Sequence, residues 1–452
     1  MSTIFKAEQN QKNEYSSQIV FTDETLIRDS IAEVLLKDDI DFVVCYVISP
    51  WHAIGVDVLA SGIMQRNDQK PSGIIAIAAH TKDGFLVHEK DFVCPSFAKT
   101  RFFYLDIRGQ LSGTSIFQRY IKLLRILLGI RAIKKSKDNR RILHIASIVH
   151  PNIDILQLFT NRRIADKYRP VFSLLDEGIG SYMSSDVWKL IFRMHANKRQ
   201  QGISVFKRFL LPALVRVENV VDAMVLRPIV MTCMYGCKVR NLNEAARKYI
   251  PTETLFVFHE VEGRLVPDKQ IADYYREVIE RRAARHGKIE KGQNLVMLLT
   301  QPFSEYNQVS AEAELGIVER VVDIAVDRGF EVVLKPHPRE NPDKYLQLAT
   351  KFGHMKVRIS EHSVPAEELF PIMHPVCVIG YTSTALPIAS AVYNIPAITI
   401  LDLLLDNTQD EYIKLHGSEF KKLTTDIVQR ADSFDKLGEI LSTVASGDAA
   451  IQ

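Results

Sequence analysis

The chain has 452 residues, 46% of them hydrophobic and 25% charged, with a net charge of +3. That length predicts two or three domains, and the balance excludes extended disorder outside the polar ends. No run of about 18 uncharged apolar residues is present to span a bilayer. A basic-then-apolar leader is also missing, and the five cysteines (Cys45, Cys94, Cys233, Cys237, Cys377) are too scattered for a disulfide framework or a zinc site. The expectation is a cytoplasmic protein in a reducing compartment.

Short apolar runs alternate with longer amphipathic segments, the pattern of parallel sheets wrapped by helices. Residues 41–49 read as a buried strand that opens into Pro50, Trp51 and His52 before a helix. Further strands are predicted at 73–79, 102–107, 141–148 and 170–175, with a last pair at 223–231 and 254–259. The charged helical stretch 260–293 reads as the join between two halves. A second strand series follows at 294–300, 331–334, 356–359, 376–379 and 397–400, with helices at 311–328, 365–370 and 385–393. Two successive open α/β units place ligands at the carboxyl ends of their strands.

Charge is unevenly spread. Residues 119–141 carry nine Lys or Arg and one acid, and residues 193–216 carry six basic residues and no acid. Two readings are open: solvated helix faces, or attraction to an anionic membrane surface or polyanionic substrate. Aromatics at stacking spacing are missing, which argues against nucleic acid.

Three motifs fall at strand ends. Asp176-Glu177-Gly178-Ile179-Gly180-Ser181-Tyr182 puts two carboxylates after an apolar strand, followed by glycines that free the backbone. A carboxylate there suits a general base, or alternatively a helix cap. Lys335-Pro336-His337-Pro338-Arg339 holds an imidazole between two prolines, rigid enough to donate to a phosphate oxygen or departing group. The other His-Pro pair, His374-Pro375, lacks that context and reads as structural. Gly380-Tyr381-Thr382-Ser383-Thr384-Ala385 runs from a buried strand into a helix, and its hydroxyls and amides suit one phosphate or simple N-capping. No Asp-x-Asp pair of the kind that holds a metal on a diphosphate sugar is read, nor a Walker or dinucleotide glycine loop.

In this order the motifs resemble the bacterial sialyltransferases of the GT-B fold, capsular polysialyltransferases and lipooligosaccharide sialyltransferases in particular. The matching elements are Asp176-Glu177-Gly178, His337-Pro338 and Thr382-Ser383-Thr384. The Gly178–Tyr182 stretch extends beyond the short acidic motif. The resemblance implies an α/β protein of two Rossmann-like domains whose open parallel sheets face a central cleft. An acceptor-side domain would occupy 1–265 and a donor domain 266–425, with a C-terminal helix and tail at 426–452 packing back on the first domain. It implies an inverting, metal-independent and cofactor-free transfer of an acidic nine-carbon sugar from a CMP donor to an oligosaccharide or glycolipid acceptor. Asp176 would be the base, with Glu177 the fallback. His337, Ser383 and Thr384 would hold the phosphate, and the donor site would include Lys335, Pro338, Gln301 and Thr382, with Glu361 or Glu367 on the ribose. Trp51, His52 and Gly178 would face the acceptor.

Donors of Kdo, pseudaminic or legionaminic acid also carry CMP and need nearly the same residues. A UDP-sugar epimerase or CDP-polyol phosphotransferase shares the architecture, and a capsule-assembly scaffold is the non-enzyme alternative. Work at the inner face of the cytoplasmic membrane is the expectation from the basic segments.

Overall fold

The computed structural model describes residues 42–67, 70–78, 86–92, 97, 100–105, 141–147, 168–176, 178–183, 187, 190, 252–286, 294–360 and 364–446. The chain divides into two compact units, Met1–Glu177 with Leu211–Leu255 and Gly178–Leu210 with Phe256–Gln452. The second unit therefore takes over at Phe256, ahead of the boundary expected at 265.

In the first unit, β1 (Phe42–Val47), β2 (Ser72–Ala78), β3 (Thr100–Leu105), β4 (Arg141–Ser147), β5 (Tyr168–Leu175) and β6 (Thr252–Leu255) form one sheet of order β3-β2-β1-β4-β5-β6. Every pairing in it is parallel. Helix α1 (Pro50–Asn67) follows β1 and buries Ala53, Ile54, Val56, Val58, Leu59 and Ala60, on all sides of its first turns. A helix buried on all sides belongs inside the fold. The segment expected as a strand at 223–231 lies outside the described residues. The one expected at 254–259 is two strands, because the chain leaves the sheet at Phe256 and Val257. It then enters a hairpin of β7 (Phe258–Val261) and β8 (Arg264–Pro267). Glu262 and Gly263, both at positive φ, make the two-residue turn whose twist suits antiparallel strands.

The second sheet repeats the topology. It contains β9 (Leu295–Leu299), β10 (Glu331–Lys335), β11 (Val357–Ile359), β12 (Cys377–Gly380), β13 (Ala397–Thr399) and the short β14 (Gln429–Arg430). Their order is β11-β10-β9-β12-β13-β14, all parallel. Both sheets thus run third-second-first-fourth-fifth-sixth, the doubly wound order whose switch point lies between the first and fourth strands. All five residues of β9 are buried, as a central strand covered on both faces requires.

Around this sheet lie α2 (Lys269–Ala283), α3 (Ala311–Asp327), α4 (Leu346–Phe352), α5 (Ala366–Met373), α6 (Ala385–Tyr393), α7 (Leu401–Leu405), α8 (Glu411–Leu423) and α9 (Phe434–Ser446). Ser310 caps α3 by accepting from the Ala313 amide at 3.1 Å, and Glu312 and Glu314 lie in its first turn, where the helix dipole favours acids. The charged α2, expected as a join, belongs to the second unit. Ala272, Tyr275, Val278 and Ile279 are buried, and Arg282 meets Glu368 of α5 at 2.7 Å with both side chains 3% exposed. Its charged outer face hides an apolar inner stripe. The C-terminal helix α9 packs on α3 of the second unit. Arg328 Nε donates to Gly438 O at 2.7 Å, and a Cβ on Gly438 would lie 2.3 Å from Arg328 Nη2.

Candidate active site

The strand ends of the second sheet carry the motif residues. Strand β10 ends at Lys335, which is buried and donates through Nζ to Pro336 O at 2.9 Å. His337 follows in a tight turn, closed by the Glu340 amide donating to His337 O at 2.9 Å. Its Nδ1 accepts the Arg339 amide at 3.2 Å. A nitrogen that accepts carries no proton, so the neutral ring presents N–H at Nε2. Pro338 is exposed, and Arg339 Nη1 donates to Tyr306 Oη at 3.0 Å.

Strand β12 runs into Tyr381 and the hydroxyl loop. Thr382 is buried, and both its amide (2.9 Å) and its hydroxyl (3.2 Å) donate to Gln301 Oε1. Thr382 and Gln301 therefore spend these groups on each other, across the switch point between β9 and β12. Ser383 Oγ accepts the Ala385 amide at 3.3 Å, and Thr384 Oγ1 accepts the Ile179 amide at 2.9 Å. In both, a lone pair is occupied and the hydroxyl proton is left to donate. The Leu386 amide is taken by Ser383 O, and Pro387 has no amide, so the start of α6 offers hydroxyls more than helix N–H groups.

The Ile179 bond explains the long acidic motif. Gly178–Tyr182 forms a tight helical turn counted with the second unit. Gly178 has φ +77°, and a Cβ there would lie 2.2 Å from Thr384 Oγ1, so backbone and space both require glycine. Tyr182 Oη accepts the Phe258 amide at 3.2 Å, and its ring meets Phe256 and Phe258 edge-on at 5.8 and 6.0 Å. Asp176, the residue after β5, is buried in the first unit. Glu177 and Glu361 lie outside the described residues.

The other candidates divide. Glu367 is half-buried at the start of α5. Burial pushes its carboxyl up, and the neighbouring Glu368 adds to this while Lys335 opposes it. Glu368 is held by Arg282 and by His286 Nε2 at 2.6 Å, an anchor between helices. His52 is 4% exposed and turned back on its own strand, its Nδ1 accepting the Ile48 amide at 3.3 Å. It shapes the β1–α1 corner, and Trp51 beside it is half-buried. His374 caps α5 in the left-handed region, a structural role as expected. Cys45 and Cys377 are buried free thiols; burial pushes Cys377 up to about 12.

Sequence reasoning passed over the acids and hydroxyls around His337. Glu305, Glu314 and Glu340 have the spacing of a cation site. The Lys344 ammonium bonds all three, at 3.1, 2.9 and 2.9 Å, and supplies the positive charge there. Burial pulls Lys344 down, but Glu340 and Glu314 more than offset it and hold the group above its ordinary value. Asp57, fully buried in α1, was also overlooked; an acid within the apolar run Ala53–Ala60 was the available signal.

The model of the alpha-2,8-polysialyltransferase (POLYST) family matches residues 44–402. The chain belongs to that family. It is a glycosyltransferase of the sialyltransferase type. No curated protein matches the sequence. Among solved structures, the UDP-GlcNAc 2-epimerase from Methanocaldococcus jannaschii aligns at TM-score 0.50 and 12% identity, over 91% of this chain and 95% of that one. A sialyltransferase from Photobacterium damsela aligns at 0.41 and 11%, over 86% and 81%. The E. coli heptosyltransferase WaaC with ADP aligns at 0.39 and 11%, over 90% and 100%. At 12% identity the likeness to the epimerase speaks to fold alone, and the fold is GT-B. No described helix is long and apolar enough to cross a membrane.

Proposed function

We propose that this polysialyltransferase-family chain moves sialic acid, or a related nonulosonic acid, from a CMP donor to the end of a surface glycan, with inversion and without a metal ion. The carrying observation is that His337, with N–H at Nε2, and the proton-bearing hydroxyls of Ser383 and Thr384 follow β10 and β12, the two strands that flank β9. Three neutral or cationic donors on neighbouring strand ends suit one phosphate monoester. The family's α2,8 description supports a sialic acid acceptor terminus.

In the proposed reaction Asp176 takes the proton of the acceptor hydroxyl. That oxygen bonds to the anomeric carbon while the bond from that carbon to the CMP phosphate oxygen breaks, and the electron pair leaves with CMP. A single displacement inverts the centre. His337 Nε2–H donates to the departing phosphate, with Ser383 and Thr384 on its other oxygens. A monophosphate leaving group carries less charge than a diphosphate, and the protein's own donors meet it. Glu367, whose carboxyl is raised by burial, would bind ribose hydroxyls. The basic segments 119–141, described only at Arg141, and 193–216, outside the described residues, would hold the enzyme at an anionic membrane presenting a lipid-linked acceptor.

Asp176→Asn is expected to keep CMP affinity while lowering kcat by roughly 10²–10⁴, the usual worth of a general base. His337→Ala is expected to weaken CMP and slow turnover together. Full transfer activity in both variants, measured with CMP-sialic acid and a short oligosaccharide acceptor, would overturn the reading. If Glu177→Gln is inactive and Asp176→Asn is not, the base is Glu177.

A further inference from the structure

We propose that Glu340 and Thr300 are positioning residues that aim His337 Nε2 at the donor phosphate and tie its loop to the hydroxyl loop; this rests on the phosphate role given to His337 above.

The Glu340 side chain is fully buried and surrounded by donors. Its Oε2 accepts the His337 amide at 2.5 Å and the Thr300 hydroxyl at 2.7 Å. Its Oε1 accepts the Tyr345 hydroxyl at 2.7 Å and Lys344 Nζ at 2.9 Å. Since the Glu340 amide also donates to His337 O at 2.9 Å, the tetrapeptide His337–Glu340 is closed in both directions. Within this double closure Pro338 is restricted and the Arg339 amide fixes Nδ1. Nε2 is the nitrogen that carries the proton of the neutral ring.

Thr300 carries the second half of the device. It follows β9, the strand between β10 and β12. Thr300 reaches one neighbour's loop through Glu340, and the next residue, Gln301, reaches the other neighbour's loop through Thr382. One dipeptide at the end of the central strand thus grips both loops. The Thr300 amide adds a bond to Lys335 O at 3.2 Å. The spacing between His337 and the Ser383-Thr384 hydroxyls is thereby set from the central strand.

A carboxylate is required because its two oxygens serve four donors at once. An amide of the same shape has one accepting oxygen and turns an NH₂ toward two of those donors. Glu340→Gln and Thr300→Val should each weaken CMP binding by about tenfold, the equivalent of one hydrogen bond to a charged group. Thr300→Ser keeps the hydroxyl and should stay within about twofold of the wild type, below the worth of one such bond.

The test is calorimetric CMP binding to the full-length chain, with imidazole ¹⁵N NMR of His337 and the melting temperature followed in parallel. The wild type should show the Nε2–H tautomer in the neutral ring, and Glu340→Gln and Thr300→Val should shift the His337 resonances. In the His337→Ala background, Glu340→Gln should add no further loss of CMP affinity. Unchanged ¹⁵N shifts, or full additivity with His337→Ala, would overturn the inference, since a merely structural carboxylate lowers the melting temperature alone. If His337→Ala by itself binds CMP normally, the phosphate role falls, and the ¹⁵N shifts still decide whether Glu340 and Thr300 orient the ring.

Discussion

Gly178→Ala tests the turn that follows the acidic pair. The new Cβ meets Thr384 Oγ1 at 2.2 Å, Cγ2 at 2.8 Å and Cβ at 2.9 Å, at a backbone φ of +77°. Left-handed backbone costs a non-glycine residue roughly 1–2 kcal/mol. Thr384 can clear the Cβ only by rotating its hydroxyl away from the Ile179 amide, now accepted at 2.9 Å on a residue 7% exposed. A buried amide without an acceptor costs about 1–3 kcal/mol. Together these give about 2–5 kcal/mol against the native turn, or a fall of roughly 30-fold or more in its population at 1.4 kcal/mol per decade. If the turn carries the acidic pair into place, kcat/KM for a short soluble acceptor should fall by the same factor. The double variant Gly178→Ala with Thr384→Ala is the sharper measurement. Both single changes lose the Ile179 bond, so the double loss should be smaller than the sum by about that one bond. Strict additivity, or Gly178→Ala turnover within twofold of wild type at about 25 °C (a change under the worth of one hydrogen bond), refutes the link between the turn and the hydroxyl loop.

Transfer activity is expected to survive chelation by EDTA; loss restored by Mg²⁺ or Mn²⁺ would show that a cation meets the leaving phosphate. Burial lowers His416 to about 4, so the folded protein resists its protonation. Below the unfolded value near 6.5 the unfolded chain binds this proton first, and stability should decline as pH falls from about 6.5 to 4, by at most about 2 kcal/mol at pH 5 for this half-buried ring. His416→Phe, which keeps the ring packed on Tyr412 at 5.2 Å, should flatten that stretch of the melting profile. The protein should sediment with anionic liposomes at low salt and be released by about 0.5 M NaCl, where screening is strong. Changing Lys134, Lys135 and Lys137 to Glu should abolish this sedimentation, and unaltered binding by that variant would remove the membrane assignment.

Much of the second unit was legible in the chain. Buried parallel strands are built on short apolar runs, and those within Leu295–Leu299, Glu331–Lys335 and Cys377–Gly380 stop at Thr300, Lys335 and Gly380. The chemistry sits where those runs stop, so His337 and the Thr382-Ser383-Thr384 loop could be selected from sequence alone. The short β14 was missed because two exposed residues carry no apolar signal. The single strand expected at 254–259 was misread because Phe256 and Val257 continue the apolar run through a break between two sheets.

Sequence by itself determined which residue types stand at the strand ends, because a pattern of burial is written locally, one strand at a time. Which of their donors remain available was decided only by tertiary structure. Thr382 and Thr384 are two residues apart and chemically alike, yet one spends its hydroxyl proton on Gln301 and the other keeps it while accepting from Ile179, 205 residues away. Nothing in the sequence singled out Glu340, yet in the fold four donors from the residue after β9, its own turn and the following residues close around it. Hydrogen-bond partners of that kind depend on which strands are neighbours. The order β10-β9-β12 is a property of the whole sheet, fixed by packing between segments distant in sequence rather than by any stretch of it.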